Sequence, residues 1–289
     1  KDSVANVRDA PDPHDIPDQP DNDAARLRNA LAGNEFCLFF QAIESVAADA
    51  AAVPFREILL RLKAEEENML PPGSFLPVAE QHGMLPDLDR WVVRHLLGWV
   101  RGDSLRQRAV YSINLSIPTV ADAGFPDFVA DALREFALPG SLLCFELQES
   151  GALSQPADVL RFVRRLQPLG CRIALCGFNG DRVSLDLLRR IPVNFLKIDG
   201  TLILHMRRSA IDQARVKAIQ RVAKAIGIGT IAECVEDNKT LARLRAIGVD
   251  YAQGFAVSLP QPLRDIANIV PVPGADAFVA RHPGRSVAG

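Results

Sequence analysis

Six polar side chains fall at or near the ends of short apolar runs, or within them. Asn114, Glu146 with Glu149, Lys197 and Glu233 lie towards the ends of such runs, and Glu57 lies inside another. A single polar residue ending one run means little. The same pattern on several runs predicts a polar surface gathered at one end of the molecule. Carboxylates and an ammonium left unpaired there are costly, so the pattern calls for a ligand or a partner. Arg61 adds a planar guanidinium suited to bidentate contact with a phosphate. Gln41 adds an amide able to hydrogen-bond a phosphate or a base. Plainer roles stay open: Arg61 paired with a surface carboxylate, Gln41 as a strand-end polar residue, and Lys197 with Glu233 as a buried ion pair.

The elements that must position these groups alternate. Strand-like runs occupy 36–43, 55–62, 108–115, 142–148, 171–176, 193–198, 228–233 and 249–255. Helical stretches at 75–82, 87–101, 126–137, 156–168, 183–190, 211–225 and 237–246 separate most of them. Residues 44–53 are too few for the crossover that parallel neighbours need, so the first two strands are expected to be antiparallel. The remaining units read as βα and parallel. Eight strands in this order predict an α/β fold, a (β/α)8 TIM-like barrel with one antiparallel strand. An open doubly wound sheet is the alternative, but no Gly-rich phosphate loop follows the first strand. Barrel sites lie at the C-terminal ends of the strands, where the polar residues collect here.

Before the barrel, residues 1–22 carry four prolines among many aspartates and read as a flexible linker. Asp23 is expected to cap a short helix ending at Gly33. The barrel is expected to span 23–265, with 266–289 as a C-terminal extension. The chain has 289 residues, is 48% hydrophobic and carries a net charge of −2, which gives no electrostatic case for a nucleic-acid polymer as partner. No apolar run approaches the roughly 18 residues of a membrane span, so no membrane insertion is expected. Five scattered cysteines without a C-x-x-C spacing suggest buried thiols in a reducing cytoplasm rather than a zinc site.

Several motifs in this order resemble the EAL domain family, bacterial phosphodiesterases and receptors of cyclic di-GMP. E-A-L reads Glu57-Ile58-Leu59, followed by Leu60-Arg61. I-N-L-S is intact at Ile113-Asn114-Leu115-Ser116, and L-K-I-D at Leu196-Lys197-Ile198-Asp199. E-L-T-E-S reads Glu146-Leu147-Gln148-Glu149-Ser150, and A-E-G-V-E reads Ala232-Glu233-Cys234-Val235-Glu236. Q-G-F stands at Gln253-Gly254-Phe255, with Pro260 after it. The D-D-F-G motif departs: it reads Cys176-Gly177-Phe178-Asn179.

The resemblance implies hydrolysis of a phosphodiester by two Mg²⁺ or Mn²⁺ ions about 4 Å apart. The matching ligands are Glu57, Asn114 and Glu146, with Lys197 and Glu233 handling the water. Cys176 offers a soft thiol and Gly177 no donor at all, so the two-metal centre is expected to be lost, with no cofactor unless a residual Mg or Mn ion survives. Ligand contacts are expected from Gln41, Leu60, Arg61, Asp89, Asn114, Glu236, Gln253, Gly254, Phe255 and Pro260, with Glu57, Lys197 and Glu233 as vestigial catalytic groups. Glu149 is expected to anchor the loop after 176. The reading that follows is not an enzyme but a cytoplasmic bacterial receptor. It binds cyclic di-GMP at the barrel mouth and signals to a protein partner such as a PilZ-type adaptor. A homodimer and an upstream GGDEF or sensory domain are expected by family analogy. A scaffold that binds no nucleotide and a weakly active phosphodiesterase are the alternatives.

Overall fold

Period-two burial builds the strands, and the strands close on themselves. In the computed structural model, residues 19–47, 53–63 and 69–266 are described. The strands are β1 (Phe36–Ser45), β2 (Phe55–Lys63), β3 (Met69–Leu70), β4 (Val110–Asn114), β5 (Leu143–Gln148), β6 (Arg172–Phe178), β7 (Phe195–Ile198), β8 (Gly229–Ala232), β9 (Tyr251–Ala252) and β10 (Gln261–Pro262). β2 pairs in parallel with β4, and parallel pairing continues in order to β9. β1 runs antiparallel to both β2 and β9 and closes the ring. This is the eight-stranded barrel with one reversed strand that the sequence predicts. The short β3 and β10 only extend β2 and β1.

The helices are α1 (Gln19–Ala32), α2 (Leu76–Gln81), α3 (Leu85–Arg101), α4 (Ile117–Ala121), α5 (Phe125–Phe136), α6 (Glu149–Ser154), α7 (Pro156–Leu166), α8 (Arg182–Arg190), α9 (Gly200–His205), α10 (Ala210–Ala225) and α11 (Asn238–Ile247). In α3, Pro86 opens the first turn, where its missing N–H costs nothing. Leu85, Leu88, Val92, Val93, Leu96, Leu97 and Val100 then repeat at helical spacing and are all buried. Each such side chain contributes about 1.5–3 kcal/mol of transfer free energy. α1 corrects one expectation: it runs through Asp23, which therefore does not cap it. Residues 1–18 of the expected linker and 267–289 of the expected extension lie outside the described residues. Among the described residues, no helix is long and apolar enough to cross a membrane.

The barrel interior is layered. One cluster takes Ile43, Phe55, Val110, Cys144, Ala174, Phe195, Ile231 and Tyr251, a side chain from each of the eight barrel strands. Because side chains alternate, the residue two positions along each strand faces the same interior. Those residues are Gln41, Glu57, Ser112, Glu146, Cys176, Lys197, Glu233 and Gln253. Seven of the eight are buried, and Glu233 is partly so. A polar ring thus lies directly on an apolar floor, with β1 counted backwards because it is reversed.

Candidate functional site

Lys197 is the only cation in that ring. Its Nζ lies 2.8 Å from Glu57 Oε2, 2.8 Å from Glu146 Oε2 and 3.2 Å from Glu233 Oε1. Burial alone would lower the lysine's pKa, but the carboxylates of Glu146 and Glu57 outweigh it and hold the ammonium charged. Burial also pushes Glu57 upward. There Lys197, with hydrogen bonds from Gln253 and Asn114, more than offsets it and brings the carboxyl below its ordinary value. Glu146 is pushed up to about 7, by burial first and by Glu57 next. Glu233 is raised too, chiefly by burial. Three carboxylates share one ammonium, so the ring retains a proton where exposed carboxyls would not.

The other ring members orient these acids. Ser112 Oγ donates to Glu146 Oε1 at 2.5 Å, and Asn114 Nδ2 donates to Glu57 Oε1 at 2.5 Å. Gln253 Nε2 donates to Glu57 Oε2 at 2.6 Å and to Gln41 Oε1 at 3.0 Å. Gln41 Nε2 donates to the Ser258 carbonyl at 2.8 Å. Among the described residues, Gln253 Oε1 is buried without a hydrogen-bond partner, as is Glu149 Oε1. An orphaned amide oxygen facing a cavity is an acceptor held ready for a donor.

Two cavities flank Glu57. One of about 250 Å³ is lined by Gln41, Glu57, Glu233, Glu236, Gln253 and Phe255, with Cys234 and Gly254 completing its wall. The other, about 550 Å³, takes Leu60, Asp89 and Asn114 together with Ser116 and Gln148. The Asn114–Glu57 hydrogen bond joins the two walls. Arg61 and Pro260 line neither. Arg61 Nη1 donates to the Leu60 carbonyl at 2.8 Å, and its guanidinium lies 5.6 Å from the Phe39 ring centre. Phe255 is 65% exposed at the rim.

Asp89 has less freedom than its motif suggests. Its Oδ2 accepts from the Ser116 amide at 3.1 Å, Ser116 Oγ at 2.8 Å and Thr119 Oγ1 at 2.5 Å. These bonds tie α3 to the start of α4, directly after Asn114. Burial raises the Asp89 pKa in spite of them.

Cys176 and Gly177 stand where the resemblance places two aspartates. Cys176 is buried, and its Sγ donates to Glu146 Oε2 at 3.4 Å. Burial, with Glu146 beside it, holds this thiol well above its ordinary pKa, so it stays protonated. Gly177 has φ +71°, a left-handed conformation open to glycine. Asp181, further along the loop, is committed to α8: it accepts from the Ser184 amide at 2.8 Å and so caps the helix. Glu149 sits at the start of α6, near Ser184, which fits a contact with that loop.

Two backbone positions explain the last motifs. Gly254 has φ +151°, and a Cβ there would collide with the Val235 backbone. Cys234 takes φ +53° without being glycine, and it is exposed in the smaller cavity. Ser112 escaped sequence reading altogether, although it lies two residues before Asn114 and so faces the same interior.

Residues 24–260 match the EAL domain. Over 241 residues, 83% of this chain, the sequence is 35% identical to the cyclic di-GMP phosphodiesterase PdeB of Shewanella oneidensis, of which 28% is covered. It is 34% identical over 244 residues, 84% of this chain, to the cyclic di-GMP phosphodiesterase PdeF of Escherichia coli, of which 32% is covered. The chain thus spans about a third of the length of these relatives. The fold superposes on the FimX EAL domain of Pseudomonas aeruginosa bound to c-di-GMP with a TM-score of 0.79 and 26% identity, covering 85% of this chain and 99% of that one. These likenesses overturn the expectation of a non-enzyme: PdeB and PdeF are named as phosphodiesterases, which points to an enzymatic family.

Proposed function

The chain belongs to the EAL domain family, and from that premise we propose that it binds cyclic di-GMP across the barrel mouth. The observation that carries this reading is the pair of cavities meeting at the Asn114–Glu57 hydrogen bond. A cyclic dinucleotide has two bases and two phosphates, and a two-lobed mouth suits it. In this reading one base enters beside Leu60 and Asn114. The other lies against Phe255, with its N–H groups on Glu236 and on the orphaned Gln253 Oε1. Arg61 turns from the Leu60 carbonyl to meet a phosphate, where a charge-assisted fork is worth more than a neutral bond. Asp89 acts by holding the turn after Asn114 rather than by spending its Oδ2 on the base. The exposed rim at Phe255 and Leu259 offers a protein partner a surface next to the ligand.

In the same reading, the donors do not suit a pair of hard cations. The ammonium of Lys197 takes the space between Glu57 and Glu146, Cys176 is a protonated thiol, and Gly177 contributes nothing. Hard divalent ions need several oxygen ligands. Binding is therefore carried by the chain's own groups.

A second reading, hydrolysis of the bound phosphodiester, is favoured by one observation. Glu57, Glu146 and Glu233 converge on Lys197, and Lys197 and Glu233 are the residues to which the resemblance gives the water. One experiment separates the two. Cyclic di-GMP is titrated calorimetrically in EDTA, and the nucleotide is then analysed after addition of Mn²⁺. Saturable binding in EDTA supports the first reading. Linear product that depends on Mn²⁺ and disappears in Glu57→Ala supports the second. No heat at tens of micromolar ligand defeats the binding reading.

A further inference from the structure

Among the described residues, the reversed first strand leaves a gap in the ring of helices. In a βα unit the crossover helix covers the outer face of the sheet. β1 passes to β2 as an antiparallel pair, with no helix among the described residues between them. α1, α2 and α3 cover part of this face, where Leu27, Ala79 and Leu88 cluster with Phe36 and Leu62 of the strands. Between α3 and the turn at 262–264 no described helix covers it. A groove of about 470 Å³ remains there, walled by Leu38, Phe39, Met69, Trp91, Trp99 and Leu263. This volume falls within the roughly 300–1,000 Å³ of small-molecule pockets. None of these residues borders the two cavities at the mouth.

The wall is apolar and its polar atoms are largely engaged. Trp91 Nε1 donates to Asn34 Oδ1 at 3.3 Å, and His95 Nδ1 lies 2.8 Å from the Trp91 carbonyl. A peptide backbone laid here would find few partners and would carry an unsatisfied-group cost. One edge is cationic. Cys37 lies on the groove, and the charged groups acting on its thiol are Arg264, Arg61 and Lys63. Arg264 also lines the groove and is 82% exposed. Its ion-pair neighbour is the adjacent Asp265, at 3.7 Å and itself 56% exposed. Such a contact leaves the guanidinium free to take a better anion.

We propose that this groove is a second binding site, which takes a medium-chain fatty acid: its alkyl chain lies against Leu38, Trp91, Trp99 and Leu263, and its carboxylate meets Arg264. The chemistry is that of an amphipathic anion, with one charged end and no further polar group to satisfy.

The chain supplies its own reporter, since its two tryptophans both line this groove. Decanoate, kept below its micelle concentration, is titrated into the full chain while tryptophan emission is followed. Decanol serves as the uncharged control. The expected result is a saturable change with an apparent Kd below a millimolar. Decanol should bind at least fivefold more weakly, and Arg264→Glu should weaken decanoate at least fivefold without moving the thermal midpoint. Lys63→Glu, at the same edge, should weaken it less. No saturable change up to a few millimolar decanoate overturns the proposal. So does equal binding of decanol and decanoate, or decanoate binding that Arg264→Glu leaves unchanged, because either would mean adsorption to apolar surface without a site for the carboxylate.

Discussion

Cys176 and Glu146 meet across neighbouring strands, the thiol sulfur 3.4 Å from the carboxylate oxygen Oε2. That same oxygen is 2.8 Å from Lys197 Nζ. Glu146 is thus held by a lysine and a thiol at the position where the family pattern would bring in an aspartate.

Restoring hard donors there should create a metal response. The double variant Cys176→Asp with Gly177→Asp places one carboxylate beside Glu146 and a second near Gln148, whose Oε1 lies 3.6 Å from where a Cβ on residue 177 would sit. Without metal it should lose about 1–2 kcal/mol, partly because residue 177 keeps its left-handed backbone. With Mn²⁺ at about a hundred times its dissociation constant it should regain about 2.7 kcal/mol. That corresponds to roughly 5–10 °C in thermal midpoint. A midpoint that ignores Mn²⁺ would show that Lys197 keeps the space closed.

Stability should fall as pH rises from about 4.5 to about 7. The Glu146 carboxyl keeps its proton in the folded state up to about pH 7, whereas its ordinary value is 4.5. Between those values the folded chain binds more protons than the unfolded one, so unfolding free energy decreases with pH. The contribution is fully present below the unfolded pKa and lost as pH passes the folded one. Glu233 acts in the same direction, whereas Glu57 is lowered and acts below its ordinary value. Urea denaturation at pH 5.0 and 7.5 should differ by about 1–3 kcal/mol from this source. Glu146→Gln should flatten the difference, and an unchanged slope in that variant would assign it elsewhere.

Arg61→Ala should separate binding from stability. The side chain is partly exposed and bonds only a neighbouring carbonyl, so the thermal midpoint should move by no more than about 2 °C. Cyclic di-GMP affinity should fall at least tenfold, since a hydrogen bond to a charged group is worth about 1.5–3 kcal/mol. Calorimetry on both proteins reads this directly. Equal affinities would remove Arg61 from the ligand's surroundings.

Cys234→Gly should stabilise the chain. A side chain at φ +53° costs about 1–2 kcal/mol, part of which glycine returns as unfolded-state entropy. A gain of about 0.5–1 kcal/mol in chemical denaturation is expected. The reverse exchange nearby should be harmful. Cys234 Sγ lies 2.6 Å from where a Cβ on residue 200 would sit, so Gly200→Ala forces one of the two to shift.

Sequence patterns located most of this architecture for identifiable reasons. The eight strand runs are apolar and bounded by polar or turn residues, and each became a strand. Leu85 to Val100 carry a helical repeat long enough to recognise. The five- and six-residue helices α4, α6 and α9 are too short to show one. Asp23 resembled a cap because capping residues are also common in loops, and the helix passes through it. At the site, Glu57, Glu146, Lys197 and Glu233 stood out as charges in apolar surroundings. Ser112 did not, because a hydroxyl inside Val110–Asn114 looks like any strand residue. Nor can sequence show that Asp89 Oδ2 already has three donors, or that no described helix lies between β1 and β2. Those facts depend on which elements become neighbours.

The polar ring also bears on how the chain folds. Glu57 and Lys197 are 140 residues apart along the sequence yet share a buried hydrogen bond. An opened or half-assembled barrel would carry Glu57 and Glu146 without their counterion, or the reverse. Uncompensated charge of that kind costs several kcal/mol in a dry interior. Partial barrels are therefore disfavoured against both the closed ring and the solvated chain. The group that organises the site is also a lock on cooperativity, and long-range closure of this kind makes folding slow.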